Sequence, residues 1–169
     1  SALWNGSLLP YMFLVSAVLL GLNMVSFETI VSGKVFKHKH QMDILSGLAR
    51  GSLIVAVLYF VMKIWQLVKG PGIGAAFDGS TAANMYLLEM LIGVILPMIL
   101  LSMKDMRSRV SSIFTINILV IVGIVMNRFN VSIFGLADFA GRAGVDYFPS
   151  VMEIIVTLAI VSFAIFAFK

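Results

Sequence analysis

Five long apolar stretches alternate with shorter polar connections along this 169-residue chain. A mostly apolar stretch of about 17–25 residues is typical of a transmembrane helix, because at 1.5 Å per residue it crosses roughly 30 Å of hydrocarbon. The pattern predicts an all-α integral membrane protein with five transmembrane helices: a four-helix bundle plus one further C-terminal helix. The spans form a single transmembrane helical domain and are expected at about residues 8–31, 44–68, 83–103, 110–126 and 151–168.

Glycine and proline residues predict local geometry inside two of these spans. Gly47 and Gly51 in the second span have the small-xxx-small spacing that lets helix backbones approach closely. Pro97 in the third span has no N–H group, so we expect it to kink that helix or to release a carbonyl within it.

The composition supports the same class of protein. Hydrophobic residues make up 60% of the chain and charged residues only 12%, with a mean hydropathy of +1.05, whereas a soluble domain carries about a quarter charged residues. The net charge of +4 therefore concerns membrane topology and the lipid surface, not nucleic acid. The lipid bilayer is the predicted environment, and no nucleic-acid partner is expected.

The distribution of basic residues predicts the orientation of the chain. We call the side on which the chain starts side B and the opposite side side A. Seven lysines and arginines fall on side A and three on side B, so the positive-inside rule places side A in the cytoplasm. The NRFN and YFPS segments then face the periplasm of a bacterial or archaeal inner membrane. The side A residues are Lys34, Lys37, Lys39, Lys104, Arg107, Arg109 and Lys169.

Four ionisable residues lie inside the predicted spans: Glu28, Arg50, Lys63 and Glu89. A charge at mid-helix costs about 2.5–3.5 kcal/mol on insertion scales, so each residue needs a partner or a water-filled cavity. Matching depths pair Glu28 with Arg50 and Lys63 with Glu89. Two interpretations stay open: structural ion pairs between neighbouring helices, or a proton route in which the two glutamates relay protons. A carboxylate in a low-dielectric interior can exchange protons near neutral pH.

Two asparagines, Asn23 and Asn117, also lie in the middle of spans. Their amides can form hydrogen bonds between helices, or they can hold water between them.

A polar segment between residues 127 and 153 gathers further candidate residues at the side B boundary. Ser150 and Glu153 fit a capping box at the start of the fifth span. The alternative for Glu153 is a salt bridge with Arg128. Arg128 could equally anchor at the interface by extending its side chain toward water. Tyr147 belongs by default to the interfacial aromatic belt, and its hydroxyl could instead donate to a ligand carbonyl.

The residues provide no redox cofactor site. The chain has no cysteine to ligate an iron–sulfur cluster, and its two histidines, His38 and His40, lie in a side A loop rather than on facing helices where haem would bind. No catalytic residue or metal site is predicted. If the protein takes part in electron transfer, electrons must come from a partner, and the reactant in the membrane must be a diffusible carrier such as a quinone.

Four segments together resemble a known family: LLPYMFLVSAVLLGLNMVSFET, YLLEMLIG, VMNRFNVS and YFPSVMEI. They are similar to the NrfD/PsrC family of membrane subunits, closest to the HybB-like branch of hydrogenase "cytochrome b" subunits. The resemblance implies two four-helix bundles in a ten-helix subunit that binds no haem. It covers the C-terminal half of such a subunit. The absence of an initiator methionine also suggests a longer chain.

The resemblance further implies a function and partners. Family members interact with a quinone near the outer face, here menaquinone or ubiquinone, and exchange electrons with a periplasmic subunit that carries four iron–sulfur clusters. A further catalytic subunit is a hydrogenase, a molybdopterin enzyme or a multihaem cytochrome. The matching motifs make Asn127, Arg128, Asn130, Tyr147 and Glu153 a candidate side B surface near quinone and partner.

The predicted function is therefore that of a membrane anchor and quinone-interacting subunit of a respiratory oxidoreductase, with proton translocation through the bundle as a further hypothesis. Whether the subunit itself counts as an enzyme is left open. Two alternatives remain. Intramembrane charges and the Pro97 helix also suit half of a secondary transporter, and a purely structural membrane anchor needs no ligand at all.

Overall fold

A computed structural model describes residues 8–38, 41–70, 72–135 and 150–167. Within these ranges all regular structure is helical and no strand occurs. Four helices are long and apolar enough to cross a membrane, which confirms the prediction of a helical, multi-pass membrane protein. These spans are Leu9–Val35, Met42–Lys69, Thr81–Ser102 and Val110–Ile133.

The first two spans are continuous helices, α1 (Leu9–Val35) and α2 (Met42–Lys69), whereas the third is interrupted. Its two parts are α3 (Thr81–Met90) and α4 (Leu96–Ser102), joined by a π-helical turn over Leu91–Ile95. In that turn the Leu96 N–H donates to the Leu91 carbonyl five residues earlier. Pro97, the next residue, cannot donate to the carbonyl four residues before it. The π-turn thus ends two residues before Pro97, and a kink or a released carbonyl at Pro97 stays a prediction.

The fourth span extends further than predicted. After a short helix α5 (Lys104–Arg107), helix α6 runs over Val110–Asn130 and continues into a π-turn over Val131–Gly135. We expected this span to end near residue 126, because polar residues follow. Those polar residues belong to the helix, since two of them, Asn127 and Asn130, face the protein interior.

The four spans pack in a ring. Helix α1 contacts α2 and α6, α6 contacts α3 and the first π-turn, and α2 contacts α4. The apolar core of this bundle includes Leu19, Ala56, Tyr59, Val94, Val120 and Ile124. Large apolar side chains also cover the outside, as expected for a surface in contact with lipid.

Two glycines that were not predicted to be helix contacts approach each other closely. A Cβ atom added to Gly93 in the π-turn would lie 2.7 Å from the Gly123 Cα atom on α6, so neither position has room for a side chain. The predicted approach at Gly47 and Gly51 is wrong. Gly47 has no atom within 4 Å of an added Cβ, and Gly51 meets only the end of the Leu22 side chain at 3.7 Å.

The chain divides into two compact units, Ser1–Leu136 and Ala137–Lys169. The second contains helix α7 (Val151–Ala167), which begins with the predicted capping box. The Ser150 N–H donates to Glu153 Oε2 at 2.7 Å, and the Glu153 N–H donates to Ser150 Oγ at 3.3 Å. The capping box is therefore confirmed. Helix α7 has 17 residues, and that it forms a fifth span stays a prediction.

Candidate functional site

A buried ion pair between α2 and α3 is the centre of the candidate site. Lys63 on α2 and Glu89 on α3 are each 1% exposed, and the Lys63 ammonium contacts Glu89 Oε1. Both residues lie about two turns from the side B ends of their helices, which is the depth match that predicted the pair. The structure thus supplies each of these two buried charges with an opposite charge.

Two amides on α6 add hydrogen bonds to the Glu89 carboxylate. Asn127 Nδ2 donates to Glu89 Oε1 at 2.8 Å, and Asn130 Nδ2 donates to Glu89 Oε2 at 2.9 Å. The two asparagines are three residues apart and therefore share one face of the helix. Each carboxylate oxygen accepts a bond from α6, which explains why these polar residues are buried, at 7% and 5% exposure.

Two tyrosines surround the lysine of the pair. The Lys63 Nζ atom lies 5.5 Å from the centre of the Tyr59 ring and 4.9 Å from that of Tyr86. Both distances are within the range of a cation–π contact, which stabilises an ammonium group removed from water. We call Tyr59, Lys63, Tyr86, Glu89, Asn127 and Asn130 the buried polar cluster.

A small cavity adjoins this cluster. Its volume is about 10 Å³, enough for about one water molecule. Gln66 lines the cavity, and its buried Oε1 atom has no hydrogen-bond partner among the described residues. The remaining lining residues are Leu9, Met12, Phe13, Tyr59, Lys63, Tyr86 and Asn127. A polar surface and a charged group thus meet in a space too small for an organic ligand.

Arg128 is fixed to α1. Its Nη2 atom donates to Ser16 Oγ at 2.9 Å and to the Phe13 carbonyl at 3.3 Å, and the guanidinium lies 3.8 Å from the centre of the Phe13 ring. The side chain is half-buried. Three groups of α1 therefore hold the guanidinium in place, and anchoring of Arg128 at the membrane interface stays a prediction.

The predicted pairing of Glu28 with Arg50 is not formed. Both side chains are exposed, and the ion pair found among the described residues is that of Lys63 and Glu89. The contact between α1 and α2 at this level is made instead by Asn23 and Ser52, whose side chains hydrogen-bond at 2.7 Å. Arg50 precedes Ser52 by two residues and so lies on the opposite side of α2. Equal depth did not place the two charges on facing sides.

The two mid-span asparagines form hydrogen bonds between helices. Asn117 on α6 hydrogen-bonds with Ser26 of α1 at 2.9 Å. The amide orientation that satisfies all of its neighbours also lets Asn117 donate to Asn23 Oδ1 at 3.0 Å. Helix–helix bonding is therefore confirmed, and the alternative of water held between the two amides is wrong because they are in direct reach.

Among the described residues of the predicted side B surface, two are buried in the bundle and two are not. Asn127 and Asn130 are interior residues, Arg128 is half-buried against α1, and Glu153 caps α7 in the second unit. Tyr147 lies outside the described residues. That these residues are near quinone or a partner stays a prediction.

Three residues of the site were not predicted from the sequence: Tyr59, Gln66 and Tyr86. A signal was available, because Tyr59 and Gln66 are four residues before and three residues after Lys63, and Tyr86 is three residues before Glu89. Residues at such spacings share a helix face with the charged residue. As for metals, no group of three histidine, cysteine, aspartate or glutamate side chains comes together in the described ranges.

Comparison with known proteins identifies relatives of the whole chain. Residues 1–140 match the family described as Polysulphide reductase, NrfD. A protein of Nitratidesulfovibrio vulgaris is 31% identical over 176 residues, covering 99% of this chain and 44% of the relative. The probable Ni/Fe-hydrogenase 2 b-type cytochrome subunit of Escherichia coli is 22% identical, covering 98% of this chain and 42% of the relative. The chain thus spans less than half the length of these relatives. No solved structure matches it.

Proposed function

The chain belongs to the NrfD family, and on that premise we propose that it forms part of a membrane subunit of a respiratory redox complex. In this proposal it anchors the complex in the inner membrane and helps to shape a site for quinone or quinol near side B. The match over residues 1–140 carries the proposal. The printed name of the Escherichia coli relative, a hydrogenase subunit, supports it.

The proposed partners follow from the same premise. A subunit with four iron–sulfur clusters docks on the periplasmic side and exchanges electrons with quinone, and a hydrogenase, molybdopterin enzyme or multihaem cytochrome completes the complex. The basic loops of side A face the cytoplasm, and α7 is the fifth span. The whole subunit has ten helices, of which these residues form the C-terminal part.

In this proposal Arg128 acts on a quinone carbonyl. Its guanidinium is held by Ser16 and Phe13 near the side B ends of α1 and α6, and a guanidinium has five N–H donors. Two of its contacts use Nη2, so further donors remain for a ligand oxygen. A positioned cation favours the negative charge that develops on a quinone oxygen during reduction.

The experiment is quinol oxidation by the full-length protein in its purified complex. Arg128→Ala should lower the rate at least about tenfold, the effect of losing one charged hydrogen bond to a ligand. Lys69→Ala is the matched control, since Lys69 is also basic and lies at the side B end of α2. The control should leave the rate unchanged. Equal rates in Arg128→Ala and wild type, with the subunits assembled, would contradict the proposed role of Arg128.

Copurification tests the wider proposal. An iron–sulfur subunit and extractable quinone should accompany the protein from native membranes. Purification with no redox subunit, together with substrate counterflow in liposomes, would replace the redox function by that of a transporter. The complex could instead form without quinone and oxidise quinol without needing any residue of this chain. That result would support the alternative of a purely structural membrane anchor.

The buried polar cluster favours a second proposal, proton transfer through the bundle. Glu89 and Lys63 are in direct contact, and the adjoining cavity has the volume for about one water molecule beside them. In a complex shown to pump protons, Glu89→Gln should abolish pumping while electron transfer continues. Glu28→Gln, the exposed carboxylate, should leave pumping unchanged. Normal pumping by Glu89→Gln would remove that residue from any proton path.

A further inference from the structure

A cationic groove lies at the side A end of the bundle, far along the helices from the buried polar cluster. Its volume is about 500 Å³, and the residues that line it are Met42, Asp43, Ser46, Arg50, Lys104, Arg107 and Ser108. The first four belong to α2, and the others to α5 and the residue after it. Helices α2 and α5 are in contact, which brings their basic residues to one groove.

The charges of the groove do not balance. Three cations, Arg50, Lys104 and Arg107, line it with one carboxylate, Asp43, and no ion pair involving any of these four occurs in the ranges that the structure describes. Arg50 lies eight residues after the first residue of α2, which places its Cα about 12 Å from the start of that helix. A guanidinium at that depth requires a counter-charge or access to the membrane surface.

An apolar stripe continues from Arg50 along the same face of α2. Ile54, Val57 and Val61 follow Arg50 by four, seven and eleven residues, so all four share one side of the helix. The three apolar side chains are 71%, 43% and 55% exposed. An apolar strip below a cationic groove has the amphiphilic pattern of a phospholipid, with a phosphate above and an acyl chain below.

We propose that this groove binds the headgroup of an anionic phospholipid, with Arg50, Lys104 and Arg107 on the phosphate and an acyl chain along Ile54, Val57 and Val61. Basic pockets between transmembrane helices at the cytoplasmic leaflet are suited to such headgroups. The net charge of the groove selects an anionic lipid over a zwitterionic one. The apolar stripe selects a lipid over free phosphate. This inference does not depend on the redox function.

The test uses the full-length protein, extracted with the subunits that accompany it, stripped of lipid and titrated under native mass spectrometry. Phosphatidylglycerol should bind, whereas phosphatidylcholine and inorganic phosphate should not. The variant Arg50→Gln/Lys104→Gln/Arg107→Gln should bind phosphatidylglycerol about 100-fold more weakly, since each basic residue near an anionic lipid contributes a factor of about five. Lys34→Gln, which removes a basic residue on side A outside the groove, should bind like wild type.

A second measurement covers the case in which the triple variant fails to assemble. A photoactivatable phosphatidylglycerol bound to the wild-type protein should crosslink within residues 50–61 of α2. Crosslinks confined to other segments would overturn the proposal, as would another polypeptide crosslinked to this face. Undiminished binding by the triple variant would also overturn it. Equal binding of phosphatidylcholine, or of phosphate alone, would replace the anionic lipid by a different ligand.

Discussion

At the scale of single residues, the Lys63–Glu89 pair is a buried interaction that stabilises the bundle interior. Both groups are fully buried, so removing either one leaves an uncompensated charge away from water. Each group also has partners beyond the pair: tyrosine rings around Lys63 and amides at Glu89. The pair therefore joins three helices, α2, α3 and α6.

We expect Lys63→Met to lower the free energy of unfolding by about 3–5 kcal/mol, because Glu89 is then buried without its counter-charge. The double variant Lys63→Met/Glu89→Met should recover most of that loss, since apolar groups of similar volume often replace a buried pair at little cost. Chemical unfolding in detergent, followed by circular dichroism, measures both.

Glu28→Gln is the control for this cycle, because Glu28 is exposed. It should change the free energy of unfolding by less than about 0.5 kcal/mol. A double variant as unstable as the single one would mean that the cluster stabilises the bundle through its amides and rings, not through the pairing of charges.

The same residues mark how far the sequence could predict the site. Depth along a span can be read from the sequence, and it correctly joined Lys63 to Glu89. It wrongly joined Glu28 to Arg50, because contact also requires that both side chains point toward each other around the helix axes. The rotation of each helix about its axis is set by the packing of whole helices, which cannot be read from the sequence. The hydrogen bond between Asn23 and Ser52 shows which sides of α1 and α2 face each other.

At the scale of helices, the contact between the π-turn and α6 fixes how closely the third and fourth spans approach. The fixed point is Gly93 against Gly123, where an added Cβ would fall on the opposing backbone. The sequence contains 14 glycines, and small-xxx-small spacing predicted a close helix contact at Gly47 and Gly51, which make no backbone contact. The π-turn that brings Gly93 into this contact could be expected near Pro97, but its partner could not.

Gly123→Ala should lower the free energy of unfolding by about 1–3 kcal/mol, the usual cost of overpacking, because the methyl group meets backbone that cannot move aside. Gly47→Ala is the matched control on α2. With no atom within 4 Å of its added Cβ, it should leave stability unchanged or raise it by about 0.5–1 kcal/mol through helix propensity. Thermal unfolding of both variants in one detergent is the measurement. Equal stability of the two variants would contradict the close packing of α6 on the π-turn.

The predicted helix boundaries match the observed ones where polar residues mark the end of the buried segment. The first three spans begin and end within a few residues of their predicted limits. The fourth span ends later than predicted. Hydropathy marks Asn127 and Asn130 as the end of the membrane segment, but both side chains are buried because they hydrogen-bond to the Glu89 carboxylate. The capping box of α7 was predictable because it depends on local spacing alone.

At the scale of the whole molecule, the first unit buries polar groups among the apolar residues of its core and exposes apolar groups on its outside. Ten polar or charged residues are buried within the described ranges, while large apolar residues such as Ile54 and Leu14 are exposed. Lipid is the environment that suits such an exposed apolar surface, and hydrogen bonds between helices suit the polar groups of the interior. Composition predicted the membrane, but not which polar residues would meet.

The orientation in the membrane can be tested by cysteine labelling, because the chain contains no cysteine of its own. In an otherwise cysteine-free full-length protein, Asp78→Cys should react with an impermeant maleimide in intact cells, because Asp78 lies in the side B connection. Ser108→Cys, between α5 and α6 on side A, should react only after the membrane is permeabilised. Both positions are exposed. The opposite labelling pattern would place the basic loops outside and contradict the positive-inside assignment.

The five-residue π-turn at Leu91–Ile95 has a consequence for the phase of the third span. The π-turn contains one residue more than an α-helical turn. This extra residue rotates the side chains that follow it by about 100° around the helix axis relative to those that precede it. Glu89, before the turn, and Leu101, after it, are both buried at 1%. The span therefore consists of two half-helices, α3 and α4, and the π-turn determines which face of α4 is buried. Deleting one residue of the turn would rotate the side chains of α4 about the helix axis relative to those of α3.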